Sequence, residues 1–304
     1  MTDTANVPPP PLAGIWLPLV TPFRDGVLDE ASLVRLAGHY AASAIDGIIL
    51  AGTTGEALTL DDDETARLVD IVADIVESRL PVYLGLCGSD TRKLAMRLAA
   101  TAAWPIGGYL VACPYYTRPS QDGLRRHFLA LAEATERPLV LYNIPYRTGV
   151  NLANETLLRL AERPNIVGAK DCCGDAAQSF DLLRLRPPGF SVLTGEDALF
   201  FTALSLGADG GILAAAHVDP HGFATLRRDL LAGRRDAALA RWGELVELVR
   251  LLFAEPNPAA IKHYLWRAGL VASPELRLPM TGVGPALAGR LDRLFWARGG
   301  AAAA

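Results

Sequence analysis

"NIVGAKDCCGD", residues 165–175, opens as a short apolar run that stops at Lys170, with Asp171 and two adjacent cysteines behind it. The run is too short for a helix and too uniformly apolar for a strand with one wet face. A strand buried on both faces, as in a parallel sheet, fits it. Seven more runs of this kind occur: "AGIWLPLV" (13–20), "DGIILAG" (46–52), "PVYLGLC" (81–87), "GGYLVAC" (107–113), "PLVLYN" (138–143), "FSVLTG" (190–195) and "DGGILAA" (209–215).

Segments of helical period separate them. "DDETARLVDIVADIVESR" (62–79) has acids in its first turn and apolar Leu68, Ile71, Val72, Ile75 and Val76 on one stripe. "SQDGLRRHFLALAEATER" (120–137) and "NETLLRLAER" (154–163) behave alike, with Ser120 and Asn154 as expected N-caps. Eight strands joined by helical crossovers close, through right-handed βαβ units, into a (β/α)8 TIM barrel. A doubly wound open sheet is the rival, but no Gly-x-Gly-x-x-Gly turn follows the first strand.

Past residue 232 the strand runs stop and helical segments follow: "RWGELVELVRLLF" (241–253), "NPAAIKHYLWRAG" (257–269) and "PALAGRLDRLFWARG" (285–299). The expected organisation is an N-terminal arm (1–12), a (β/α)8 barrel (13–231), a C-terminal helical extension (232–298) and a tail (299–304).

A net charge of −4 offers no broad basic surface to nucleic acid or an anionic membrane, and no apolar stretch reaches the length of a membrane span. The proline-rich "MTDTANVPPPPL" lacks the basic start and apolar run of a signal peptide, and the four cysteines are then expected as reduced thiols in a cytoplasm.

A barrel of this kind carries its active site at the C-terminal ends of the strands. Those ends are Thr21, "GTTGE" (52–56), Cys87, "CPYY" (113–116), "YNIPYRTG" (142–149), "KDCC" (170–173), "GED" (195–197) and "AAAH" (214–217). The glycines and hydroxyls of "GTTGE" suit a carboxylate, and suit a tight capped turn as well. Lys170, desolvated at a barrel mouth, would lose charge readily and attack a ketone to form a Schiff base. A strand-end lysine facing solvent or pairing with Asp171 is the plain alternative. Tyr142 can relay protons and Arg147 can grip a carboxylate, or the two can be structural and superficial.

Cys87, Cys113, Cys172 and Cys173 all fall near strand ends, but no Cys-x-x-Cys spacing supports a metal, and adjacent Cys172 and Cys173 point to opposite sides. "HVDPH" (217–221) reads as a loop and cap for the eighth helix. His39, His127 and His263 fall within helices, expected partly exposed.

Together these motifs resemble the dihydrodipicolinate synthase / N-acetylneuraminate lyase family of pyruvate-dependent aldolases. The resemblance runs from "GIWLPLVTPF" (14–23) to "LRLPM" (276–280), with "GTTGE", "PYYTRPSQDGL" (114–124), "YNIPYRTG", "AKDCCGD" (169–175) and "EPNP" (255–258) in family order. It implies that Lys170 forms the Schiff base with pyruvate, and that Thr53 and Thr54 hold pyruvate's carboxylate and join a proton relay. It implies that Tyr142 passes protons, that Tyr116 reaches a neighbouring subunit's site in a homodimer or homotetramer, and that Arg147 receives the second substrate's carboxylate. Gly195 and Ile212 would line the pocket. No metal or organic cofactor is implied.

Arg147, two residues after Pro145, with "EPNP" and "LRLPM", resembles the synthase branch, whose aldehyde is L-aspartate 4-semialdehyde. Cys172-Cys173, "AAAHVDP" (214–220) and the bulky Tyr146 depart from that branch and leave another aldehyde or sugar acid as an alternative. A non-catalytic binding barrel is the alternative of another class, and the joint presence of Lys170, Thr53, Tyr142 and Arg147 argues against it.

Positions matching the lysine feedback site of regulated synthases hold Asp62, Thr65, Ser89 and Lys93, where histidines, asparagine and glutamate are expected. Activity is therefore expected to be insensitive to lysine, and inhibition at sub-millimolar lysine in a steady-state assay would refute this.

Overall fold

The computed structural model describes residues 12–299. The expected arm, Leu12 apart, and the tail beyond Gly299 lie outside the described residues. The strands are β1 (Gly14–Pro18), a small antiparallel hairpin β2–β3 (Phe23–Arg24 and Val27–Leu28), β4 (Gly47–Leu50), β5 (Val82–Leu86), β6 (Gly108–Ala112), β7 (Leu139–Asn143), β8 (Ile166–Asp171), β9 (Ser191–Thr194) and β10 (Gly210–Ile212). All but the hairpin pair in parallel, each with its sequence neighbour, and β1 pairs with both β4 and β10 to close the barrel. These eight strands coincide with the eight apolar runs, β8 running one residue past Lys170 to Asp171.

The barrel is a TIM barrel, with helices α1 (Glu30–Ala41), α2 (Asp62–Val76), α3 (Thr91–Ala100) and α4 (Gln121–Glu133) in the crossovers of its first half. A short α5 (Pro145–Thr148), then α6 (Asn154–Leu160), α7 (Ala176–Leu185), α8 (Phe200–Ser205) and α9 (Pro220–Leu231) complete the ring. Helices α10 (Arg235–Leu252), α11 (Ala259–Arg267) and α12 (Pro285–Ala297) follow.

Caps fix several starts. Asp61 and Glu64 form a capping box on α2, and the Ser120 hydroxyl accepts from Gly123 N–H at 3.2 Å. The cap of α6 is Ala153 rather than Asn154. Asn154 is instead the first helical residue, and its amide donates to the Gln178 carbonyl at 2.8 Å. His127 and His263 are buried, not partly exposed, because each lies on the packed face of its helix and bonds a side chain there, Thr91 and Asp292 respectively. His39 is exposed.

The core has two compartments, as parallel strands buried on both faces require. Ile15, Leu17, Ile48, Leu50, Leu84, Val111, Leu139, Leu141 and Ala169 face the helices. Trp16, Ile49, Tyr83, Leu110, Val140, Tyr142, Leu193 and Ile212 fill the interior, and Leu12 is buried with them.

One strand breaks the alternation. Leu139 stands opposite Ile166, yet Val140 stands opposite Gly168, so β8 carries an extra residue, Val167, against regular β7. Ile166 faces outward, and strict alternation from it would send residue 170 outward too. The bulge reverses that parity and turns Lys170 inward, beside Tyr142.

The seam between β1 and β10 is tight. A Cβ on Gly210 would overlap the Gly14 carbonyl oxygen and lie 2.5 Å from the Gly14 nitrogen, both backbone atoms of the opposing strand end. Gly210→Ala should therefore cost about 2–3 kcal/mol, read as a lowered urea midpoint. An unchanged midpoint would mean that the seam yields freely.

Candidate active site

Lys170 and Tyr142 are register partners at the ends of β8 and β7, and both are buried. The lysine Nζ lies 4.3 Å from the tyrosine ring centroid, over a face that carries partial negative charge. Burial pushes the Lys170 ammonium below its ordinary value, while Cys172, Asp197 and Glu196 oppose that shift and Arg147 adds to it. An amine so placed is more readily uncharged, and so nucleophilic, than one in water. The Tyr142 hydroxyl is pushed up, chiefly by burial, and stays protonated and able to donate.

Gly195 makes room for the lysine. A Cβ there would overlap Lys170 Cε and lie 2.5 Å from Cys172 Sγ. Ile212, at the end of β10, is buried among the interior side chains.

Thr53 and Thr54 sit in the tight turn after β4, where Gly55 and Glu56 N–H groups donate to Gly52 and Thr53 carbonyls. Thr53 is exposed. Thr54 is buried, and its hydroxyl accepts from Asn257 Nδ2 at 2.9 Å. Arg147, on the α5 turn, is exposed, with its guanidinium 5.7 Å from the Tyr146 ring centroid. Tyr116 is 91% exposed on a left-handed backbone (φ 71°), with its N–H donating to the Thr148 carbonyl at 3.1 Å.

Sequence reasoning named the "GED" strand end without assigning its acids. Asp197 is buried, and its Oδ1 accepts from Ala215 N–H at 2.6 Å. Burial raises its carboxyl to about 7, against the opposing pull of the Ala215 and Ala214 amides and of Lys170. Among the described residues, the buried Glu196 Oε1 meets no hydrogen-bond partner; the side chain lies near Cys172 and Tyr146. Two consecutive acids after the glycine that follows β9 were the available signal for both.

The cysteines part company. Cys172 joins the interior, 3.9 Å from the Tyr142 hydroxyl, whereas Cys173 contacts Ser179 outside the strand. His217 accepts from Val20 N–H at 3.2 Å through Nε2, which places the proton on Nδ1 for the Ala214 carbonyl at 2.8 Å. Both nitrogens are spent on backbone, and Asp219 caps α9. Among the described residues, no group of three potential metal ligands comes together.

A sequence model of the dihydrodipicolinate synthetase family matches residues 11–291. The chain belongs to this family. It is 42% identical over 284 residues to 4-hydroxy-tetrahydrodipicolinate synthase 2 of Clostridium acetobutylicum, covering 93% of this chain and 99% of that one. The dihydrodipicolinate synthase crystal structure from Aquifex aeolicus superposes with a TM-score of 0.92 at 31% identity, over 96% of this chain and 100% of that one. A structure described as the first monomeric dihydrodipicolinate synthase variant also gives 0.92, at 32% identity over 95% and 97% of the two chains. Like these relatives, this dihydrodipicolinate synthetase-family chain is a lyase of class I aldolase type, and among its described residues no helix is long and apolar enough to cross a membrane.

The raised Asp197 carboxyl gives a signed prediction. Its folded value, about 7, lies above its ordinary 3.8, so its contribution to stability is full below 3.8 and is lost as pH rises through about 7. Asp197→Asn should flatten the fall in stability between those limits, measured by denaturant titration at several pH values. A parallel pair of curves for the two proteins would show that Asp197 titrates normally.

Proposed function

We propose that this protein condenses pyruvate with L-aspartate 4-semialdehyde to give 4-hydroxy-tetrahydrodipicolinate, the entry to diaminopimelate and lysine. The observation that carries the reading is the buried Lys170 amine turned beside Tyr142, in a chain whose relatives bear the synthase name.

The chemistry follows from that placement. Uncharged Lys170 Nζ attacks the pyruvate ketone, and the carbinolamine loses water to give an imine. Protonated at nitrogen, the imine accepts the electron pair left when the methyl group loses a proton. The resulting enamine carbon bonds to the aldehyde carbon, whose oxygen takes up a proton. The semialdehyde's own amine then attacks the imine carbon, closes the ring and releases Lys170. Thr53, Tyr142 and Tyr116 of a neighbouring subunit are proposed to carry the protons between these steps. Thr54 and the turn amides receive pyruvate's carboxylate, Arg147 receives that of the aldehyde, and Gly195 and Ile212 shape the pocket.

Subunits are proposed to pair through Tyr116, as dimer or tetramer, and its exposed, left-handed placement supports a role beyond its own chain. Four free cysteines support a reducing cytoplasm. The catalytic unit is proposed to span residues 13–231, with residues 232–298 as its helical extension.

Cys172 close to the lysine and Tyr146 close to Arg147 favour one second reading, a pyruvate lyase of the same family with another aldehyde or sugar acid. Borohydride with pyruvate should trap a covalent adduct on Lys170, and Lys170→Ala should abolish it and lower turnover by about 10⁴-fold or more. A panel of aldehydes then separates the readings. Turnover of another acceptor with inactivity towards aspartate semialdehyde would sink the first.

A further inference from the structure

The Gly52–Glu56 turn is held from outside the barrel. Glu56 adopts a left-handed backbone (φ 54°) and buries its carboxylate against the C-terminal helices. Its Oε1 forms an ion pair with Lys262 of α11, and its Oε2 accepts from Arg277 N–H at 3.1 Å. Lys262 is fully buried, donates also to the Glu275 carbonyl at 2.8 Å, and stands 4.4 Å from the Phe23 ring centroid. Arg277 closes the same cluster, donating to the Thr59 carbonyl at 2.7 Å and pairing with Glu64 of α2. Just before α11, Asn257 donates to the Thr54 hydroxyl at 2.9 Å. The α11 region thus grips the turn at residues 54 and 56, on both sides of Gly55.

Stability alone does not account for this pair. Two charges taken out of water roughly break even against a hydrophobic pair of the same shape, although removal of one partner is costly. What a buried, hydrogen-bonded pair supplies well is one fixed geometry, and hydroxyls that must meet a reacting ligand need that.

We propose that Lys262, acting through Glu56, and Asn257, acting through Thr54, are positioning residues that hold the Thr53–Thr54 turn in register with the carboxylate of pyruvate. The proposal rests on the reading of that turn given above. It makes the helical extension part of the substrate site, although neither residue touches substrate.

Two variants of the full-length protein test it. Lys262→Met leaves the Glu56 carboxylate buried without a counter-charge, and should lower Tm and raise pyruvate KM. Glu56→Gln with Lys262→Met removes both charges and keeps an acceptor for Arg277. The double variant should recover Tm to near wild type, yet keep pyruvate KM raised about tenfold, with aldehyde KM little changed and kcat falling by less. Asn257→Ala should show the same split. If pyruvate KM returns to wild type together with Tm in the double variant, the pair is structural only and the proposal fails. If Lys262→Met does not fold, the double variant decides alone. Borohydride trapping at saturating pyruvate separates the two claims, since adduct on Lys170 persists in every folded variant if the site is read correctly. A wild-type protein that cannot be trapped would overturn the site, not the brace.

Discussion

Burying an amine in hydrocarbon is the constraint around which this barrel is arranged. An ammonium inside an apolar interior is costly, and the cost is reduced if the group sheds its proton or finds partial negative charge close by. Both outlets are present at Lys170: the Tyr142 ring face on one side, and the Cys172, Asp197 and Glu196 groups within electrostatic reach. Asp197 feels the same field from the other direction, and its carboxyl retains a proton to about 7. Lysine and acid are therefore tuned by one another and by the exclusion of water they share. Gly195 completes the arrangement by giving up a side chain where the lysine stem passes.

Much of this was legible in the chain itself. Runs such as "PLVLYN" and "NIVGAK" suited strands buried on both faces, and eight of them alternating with helical segments favoured a closed barrel over a doubly wound sheet. Listing the strand ends then brought Lys170, Tyr142, Thr54 and Gly195 to one mouth. What stayed hidden depends on geometry that composition does not encode. An apolar run buried on both faces has no polar residue to betray a bulge, so the inward turn of Lys170 could not be counted out from Ile166. Asp197 drew no assignment because its partner is a backbone amide in the turn after β10. His127 and His263 looked superficial because histidine suits either environment, and only the packed neighbours decide.

The Glu56–Lys262 pair was missed for a different reason. Its members are 206 residues apart in sequence, and each sits in a motif that already had a sufficient explanation, a tight turn for one and an amphipathic helix for the other. Yet the two motifs that mark the family, "GTTGE" and "EPNP", are physically joined, with Asn257 of the second bonded to Thr54 of the first. Barrel and helical extension meet at the turn proposed to receive pyruvate, so neither can be treated as the scaffold of the other.

The extra residue in β8 has one more consequence. Loops above a barrel can lengthen or shorten and merely reshape the opening, because each joins a fixed strand to a packed helix. Inside β8 the arithmetic is different. Val167 sets whether the chain arrives at position 170 on an odd or an even step, and so whether the amine opens into the sealed interior or into the helical layer. Gain or loss of one residue there would be a change of address, not of shape. Variation at the mouth can thus be written in the loops, while the side to which the amine opens is held by a count within a single strand.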